Sequence, residues 1–439
     1  MTTTPTTTPV TAPTTVPFAA ARTVADLDRH GTPSHEVYTA GFYGSDRDFV
    51  VRGLLGKASR GGADAGEVLA TIAGIDPDDG PGWVTAWTAL GRRLEAVAAD
   101  CSRRGHRVSA ARAHLRAANY LATAVNALTH SDDAEQLLQV FRAHRGAWVG
   151  FVATTAWPVE RVDIPYEDTS LPGWLFRPDG SGRTRPTLVA NNGSDGALSG
   201  CWCGVAEGGL ERGYNVLLFD GPGQQSMLFE RDVPFRPDWE KVLTPVVDFL
   251  LERDDVDPAR LGVYGVSQGG YWVPRALAFE HRFAAAAVDG GAVDVGRSWF
   301  AHLPPPLLDL YRRGETAEFD RVMASAMAEP GARAERENWR FRARPYGVAG
   351  YSAVLDTAAR YALHDLAKDI TTPLWIADPD GEQFFPGQSA ELAALVGNAT
   401  LARFTQDEGA SYHCQPLARE LTEQRVLDWL DEQLRGGHT

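Results

Sequence analysis

Cysteine is scarce. Four residues in 439, Cys101, Cys201, Cys203 and Cys414, cannot form the dense disulfide framework of a secreted domain. No histidine stands beside them at metal-ligand spacing, which sets aside a structural zinc site. The Cys201-x-Cys203 pair is too tight for an easy disulfide, so a reducing cytoplasm is the expected compartment. No run is long and apolar enough to span a bilayer, and the opening "MTTTPTTTPVTAPTTVPF" lacks the apolar core of a signal peptide. Its Thr/Pro composition predicts a disordered tail over residues 1–17. Basic charge is also short: Lys and Arg number 42 against 57 Asp and Glu, a formal net charge of −15 with a pI of about 5.2. Nucleic acid and anionic membrane, which bind through clustered cations, are therefore not expected partners. The G-x-x-x-x-G-K-[ST] phosphate loop, a dinucleotide fingerprint and a repeat of fixed period are all missing.

Apolar periodicity divides what remains. Residues 18–155 predict an N-terminal helical cap domain. There "AGEVLATIAGI", "WVTAWTALGRRLEAVAADCSRRG", "VSAARAHLRAANYLATAVNAL" and "DAEQLLQVFRAHRGAWVGFVA" each repeat near 3.6 residues, between breaks at "DPDDGPG" and "THSDD". Over 156–294 the pattern becomes short β-type runs. "VERVDIPYED" and "LPGWLFRP" alternate like an antiparallel pair. "RPTLVANN", "YNVLLFDGPG", "ARLGVYGVSQGG" and "FAAAAVDGG" are continuous apolar runs separated by helical segments, as in a doubly wound, mostly parallel α/β sheet. Residues 295–370 return to helical pattern and predict a lid inserted at the carboxyl edge of the strands. The sheet resumes over 371–439 with "TTPLWIADPDGEQFFPG" and "NATLARFTQ" before a C-terminal helix.

Gly265-Val266-Ser267-Gln268-Gly269 falls between a strand and a helix. That is the context in which a G-x-S-x-G pentapeptide acts as a nucleophile elbow, whereas the pentapeptide alone also fits a plain bend or a phosphate-binding turn. The Gln268 N–H, at the start of the helix, is placed to donate to a developing oxyanion. A serine hydroxyl needs a base. His413, in "DEGASYHCQPLARE", follows the last strand, while His281, His302 and His364 lie in helical or turn segments and His438 in the tail. Asp378, Asp380 and Glu382 compete as the acid that orients it, with Asp289 and Asp294 open if the acid sits after the preceding strand. "FDGPGQQS", Phe219 to Ser226, reads as a strand-to-helix turn shaped by glycine and proline. Trp299, Phe300, Trp339, Phe341 and Tyr346 in the lid are candidates for lining an apolar pocket, core packing being the commoner fate. Arg342 and Arg344 are candidates for a substrate carboxylate or phenolate, against the commoner surface salt bridge.

Together "NNGSDG", "FDGPGQQ", "GVSQGG", "DPDGEQFFPG" and "GASYHCQ" resemble the α/β-hydrolase superfamily, in its branch with an N-terminal helical domain. That branch includes the fermentation-respiration switch protein, dihydroxypseudooxynicotine hydrolase and fungal polyketide-shortening hydrolases. "SAARAHLRAANYLATA" looks like its helical-domain signature. The resemblance implies an α/β-hydrolase fold and a cofactor-free serine hydrolase. Its substrate would be a small polyketide-like or aromatic acyl molecule, cut at an ester or a carbon-carbon (β-diketone) bond. It selects Glu382, four residues before Pro386, as the acid, with Asp380 the alternative, although relatives more often carry Asp. "LVANNGSDG" is similar to the family's His-Gly-x turn with Asn192 in place of histidine, which makes the Ser194 N–H the second oxyanion donor. Other roles for the same residues are acyl transfer or cyclisation, or regulatory binding without catalysis. The sequence selects no oligomeric state; a homodimer is open to it.

Overall fold

Capping side chains and alanine set the helices of the first third. In a computed structural model, which describes residues 38, 41–44, 46–76 and 79–435, they are α1 (Asp46–Gly56), α2 (Ala65–Ile72), α3 (Gly80–Arg103), α4 (Arg107–Leu128) and α5 (Ala134–Thr154). The Thr/Pro stretch at 1–17 lies outside the described residues. Two compact units are distinguished, Met1–Val51 and Arg52–Thr439; in the first, the Asp48 carboxylate accepts the Phe42 N–H at 2.6 Å. In the second, Asp64, Asp79 and Asp133 cap α2, α3 and α5 by accepting the N–H of Glu67, Gly82 and Gln136. Each such cap is worth about 1 kcal/mol. Ala110, Ala113, Ala117, Ala118 and Ala124 of α4 are essentially inaccessible, and these small side chains let α3 and α5 pack on it from two sides.

The sheet runs β1-β2-β4-β3-β5-β6-β7-β8. Its strands are β1 (Val159–Tyr166), β2 (Thr169–Phe176), β3 (Arg185–Asn191), β4 (Asn215–Phe219), β5 (Val256–Val266), β6 (Ala285–Asp289), β7 (Leu374–Pro379) and β8 (Ala399–Phe404). β1 pairs antiparallel with β2 and β2 antiparallel with β4; every later pairing is parallel. All residues of β4 and β6 are buried, which explains why those runs show no alternation.

Helices cover both faces. After β3, α6 (Leu198–Cys201) passes through a π-helical turn, Trp202–Ala206, into α7 (Glu207–Glu211). α8 (Gln225–Phe229) and α9 (Glu240–Leu251) follow β4, and α10 (Gly269–Leu277) follows β5. Beyond β6 come α11 (Gly296–Phe300), α12 (Pro305–Arg312), α13 (Thr316–Ala328), α14 (Arg333–Ala343) and α15 (Tyr351–Ala358), where the strand alternation breaks off. α16 (Gln388–Leu395) joins β7 to β8, and α17 (Arg419–Arg435) closes the chain. A buried ion pair, Arg145 of α5 to Asp220 at 3.2 Å, ties the helical module to the carboxyl edge of the sheet.

Candidate active site

Ser267 stands between the end of β5 and the start of α10 with φ +56, a conformation a non-glycine residue holds only when its surroundings enforce it. Its N–H donates to the Asp289 carbonyl at the end of β6 (3.0 Å), and its carbonyl accepts the Gly270 N–H (2.7 Å). The turn also needs close backbone approach. A Cβ on Gly265 would lie 2.6 Å from the Gly269 carbonyl oxygen, and one on Gly193 would lie 2.9 Å from the Ser267 Cβ.

His413 Nε2 is 2.9 Å from Ser267 Oγ, and His413 Nδ1 is 2.8 Å from Glu382 Oε2. The side chains of His413 and Glu382 are only 2% and 6% exposed. The other carboxylate oxygen, Glu382 Oε1, accepts the N–H groups of Phe384 (2.8 Å) and Phe385 (3.1 Å), so both lone-pair directions of the acid are committed. The acid and histidine loops are joined directly: the Gly381 N–H donates to the Ser411 carbonyl and the His413 N–H to Gln383 Oε1, each at 2.8 Å.

Burial works against charge on the imidazole, but Cys414 and the Glu382 carboxylate outweigh it and hold His413 well above the ordinary histidine range. The Cys414 thiol is itself raised by burial, so near neutral pH the carboxylate is the charge that acts on the ring. For Glu382, burial raises the pKa and the charge and hydrogen bond of His413, with the two backbone N–H donors, overcome it; the carboxyl is held below its ordinary range. The edge of Phe384 packs on the imidazole at 4.7 Å between centroids, with Phe385 at 5.9 Å.

The expected oxyanion donors lie on two loops that meet at the serine: Gln268 follows it in the chain, and Gly193, next to Ser194, packs against it. Neither the Ser194 N–H nor the Gln268 N–H has an acceptor among the described residues. The placement of the Ser194 N–H depends on Gln224, beside the Gly-Pro-Gly turn that the sequence presents as a simple bend. Gln224 is buried, its Nε2 donates to the carbonyls of Asn192 and Gly193, both at 2.9 Å, and its Oε1 accepts the Gly221 N–H at 2.8 Å. In a trans peptide the carbonyl and the following N–H point opposite ways. Anchoring the Gly193 carbonyl therefore turns the Ser194 N–H away from Gln224. The nearest sequence signal is the doubled glutamine after Gly223, but its partner lies thirty residues back.

The remaining candidates are placed elsewhere. Asp380 pairs with Arg403 at 2.7 Å near the surface. Asp378, raised by burial, lies on β7. Asp294 accepts the Arg297 N–H at the start of α11 and lies 3.6 Å from His364. Asp289 pairs with Arg419 Nη1 at 2.7 Å and accepts the Tyr264 hydroxyl at 2.9 Å. The same Arg419 nitrogen donates to the Cys414 carbonyl at 2.7 Å, beside His413, where Cys414 and Gln415 both have positive φ. Sequence reasoning missed Arg419 as well. Trp299 and Tyr346 are buried in an aromatic cluster with Trp339, Phe235 and Tyr361, and Phe300 packs on Tyr311. Arg344 donates to the Thr129 carbonyl at 3.0 Å and lies over the Phe229 ring.

This strand order, with the serine on the turn after β5 and the histidine beyond β8, defines an enzyme of the α/β-hydrolase class. The prolyl oligopeptidase family matches residues 210–317, the segment containing Ser267. The chain is 30% identical to the hydrolase LUC6 of Fusarium sp over 424 residues, spanning 91% of this chain and 98% of the relative. It is 33% identical to the 20-hydroxy-prefusarin hydrolase FUS2 of Gibberella moniliformis over 268 residues, 58% of this chain and 62% of that one. The crystal structure of 2,6-dihydroxy-pseudo-oxynicotine hydrolase shares the fold, with a TM-score of 0.69 at 20% identity over 87% of this chain and 96% of that chain. The chain belongs to the α/β-hydrolase family that includes LUC6, and it is a serine-type hydrolase.

Proposed function

We propose that Ser267, His413 and Glu382 form the catalytic triad of a hydrolase acting on an ester or carbon-carbon bond of a small polyketide-like or aromatic acyl substrate. The observation that carries this reading is the unbroken hydrogen-bonded chain from Ser267 Oγ through His413 to Glu382, with spacings of 2.9 and 2.8 Å. Ser267 Oγ attacks the substrate carbonyl carbon as His413 Nε2 takes its proton, and Glu382 keeps the Nδ1–H tautomer and stabilises the imidazolium. The Ser194 and Gln268 N–H groups receive the oxyanion; donors of this kind are each worth roughly 10²–10³ in rate. Collapse of the intermediate breaks the acyl bond. His413 then protonates an alkoxide leaving group in an ester, or the carbon of an enolate in a β-diketone, and water releases the acyl group from Ser267 by the reverse relay.

The substrate for which the FUS2 relative is named, 20-hydroxy-prefusarin, supports a polyketide-like acyl class. The lid aromatics support an apolar binding wall. Trp339 and Arg342, three residues apart on α14, share a helix face, and Trp339 packs on Trp299, which packs on Tyr346. Trp299, Phe300 and Tyr346 are accordingly proposed as substrate-facing or wall-forming residues. A panel of short aryl esters and aryl 1,3-diketones tests the reading, with products identified by mass. Turnover of at least one class that is abolished by Ser267→Ala is expected. Turnover that survives Ser267→Ala contradicts it.

A further inference from the structure

Three arginines of the lid are half-buried: Arg336, Arg342 and Arg344. Arg336 donates to the Met327 carbonyl and Arg344 to the Thr129 carbonyl. Arg342 has neither a hydrogen-bond acceptor nor an ion-pair partner among the described residues. Its guanidinium lies 5.4 Å from the centroid of Phe384, the ring that packs edge-on against His413. An aromatic face satisfies little of a group with five N–H donors in a planar fork.

Phe384 thus places this arginine one ring away from the imidazole. Asp195, next to Ser194 on the oxyanion loop, is an exposed residue within reach of Arg342. Burial raises its carboxyl, and the Ser194 hydroxyl, His413 and Arg342 pull it back, which places the carboxylate within electrostatic reach of both sides of the site. Asp195 and Arg342 form no direct hydrogen bond or salt bridge, so the carboxylate acts on the guanidinium only at longer range and leaves its N–H donors open. Lys57 is the other cation near Asp195, beside Gly200 and Cys203.

We propose that Arg342 is a specificity-determining residue that receives a delocalised oxyanion of the substrate, a carboxylate or the enolate of a 1,3-dicarbonyl, beside the Ser267–His413 pair. Two oxygens sharing one charge match the guanidinium fork. The proposal rests on the hydrolase reading above and names the ionic character of the molecule that site takes.

The test compares the p-nitrophenyl ester of glutaric acid, which carries a free carboxylate, with its methyl-capped neutral isostere. In a parallel arm, 1-phenyl-1,3-butanedione and its 2,2-dimethyl derivative, which has no hydrogen between the carbonyls and cannot form the delocalised 1,3-enolate, are compared as inhibitors. Removing a charge-assisted hydrogen bond is expected to lower the anionic-to-neutral ratio in Arg342→Gln by about 10- to 100-fold, read as kcat/KM in the ester arm for a carboxylate or as 1/Ki in the diketone arm for an enolate. Arg342→Lys should recover part of the ratio. A ratio unchanged in both arms, or one that falls in Lys57→Met and not in Arg342→Gln, overturns the proposal. If the wild type turns over neither these esters nor any ester or diketone of the panel, the hydrolase reading fails on its own. Calorimetric binding of the two diketones to wild type and Arg342→Gln then still decides the arginine: preference for the enolisable one, lost in the variant, supports it, and equal binding overturns it.

Discussion

Glu382→Gln is nearly isosteric, and the structure fixes which way the new amide must point. Glu382 Oε1 accepts two backbone N–H groups, from Phe384 and Phe385, while Oε2 faces His413 Nδ1 at 2.8 Å. An amide nitrogen turned toward the two N–H donors would set donor against donor in a site with 6% exposure, so the amide oxygen stays there and the NH2 faces the imidazole. His413 Nδ1 must then accept, which moves the ring proton to Nε2, the atom that has to receive the Ser267 proton. A tautomer locked the wrong way costs about 10⁴ in kcat in the trypsin-like triad. A loss of roughly 10³–10⁴ in kcat with KM little changed is expected here. Circular dichroism and thermal melting should show a folded protein. The surface alternative behaves differently: Asp380→Asn breaks only an exposed, solvent-screened ion pair with Arg403 and should leave kcat near wild type. Steady-state kinetics on a short aryl ester read both. Activity of Glu382→Gln within tenfold of wild type, or an equal loss in Asp380→Asn, would refute the assignment.

The pH profile follows from the same pair. Activity falls as pH drops through the His413 pKa, which lies above the ordinary value of 6.5, so the acid limb of kcat/KM should sit above that value and move downward in Glu382→Gln. Because the Glu382 carboxyl is held below its ordinary range, it contributes stability above its unfolded pKa that is lost as pH falls through the folded value; melts of wild type and Glu382→Gln should converge at low pH. Gln224→Leu strips the donor from two buried carbonyls, a cost of about 2–6 kcal/mol at roughly 1–3 per group, and frees the Ser194 N–H to drift. A lower Tm with kcat reduced tenfold or more and little change in KM is expected. Arg419→Met leaves Asp289 buried and unpaired beside the histidine loop, at a cost of about 3–5 kcal/mol, part of which the double variant Arg419→Met/Asp289→Asn should recover. Thermal denaturation of the single and double variants checks this.

The features readable from the sequence are those with short-range causes. Strands buried on both faces appear as apolar runs, and the glycines that mark the turn at Ser267, Gly265, Gly269 and Gly270, lie within three positions of it. His413 was legible because one histidine follows the last strand before the closing helix. Asp378, Asp380 and Glu382 could not be separated by periodicity, since all three share one parity. The structure separates them through the end of β7 at Pro379, after which the chain leaves the pleat and brings Glu382 back to the histidine loop. Gln224, Arg419 and Phe384 were not legible. Each acts on a partner from another part of the chain or through a turn geometry that no local pattern encodes.

The central claim is that Ser267 is the nucleophile and His413 its base. Treating the full chain with a fluorophosphonate and mapping the adduct by peptide mass tests it most directly. A single adduct on Ser267 in the wild type, slowed by orders of magnitude in His413→Ala, is the predicted result. No adduct on Ser267, or labelling at the same rate in His413→Ala, would contradict it.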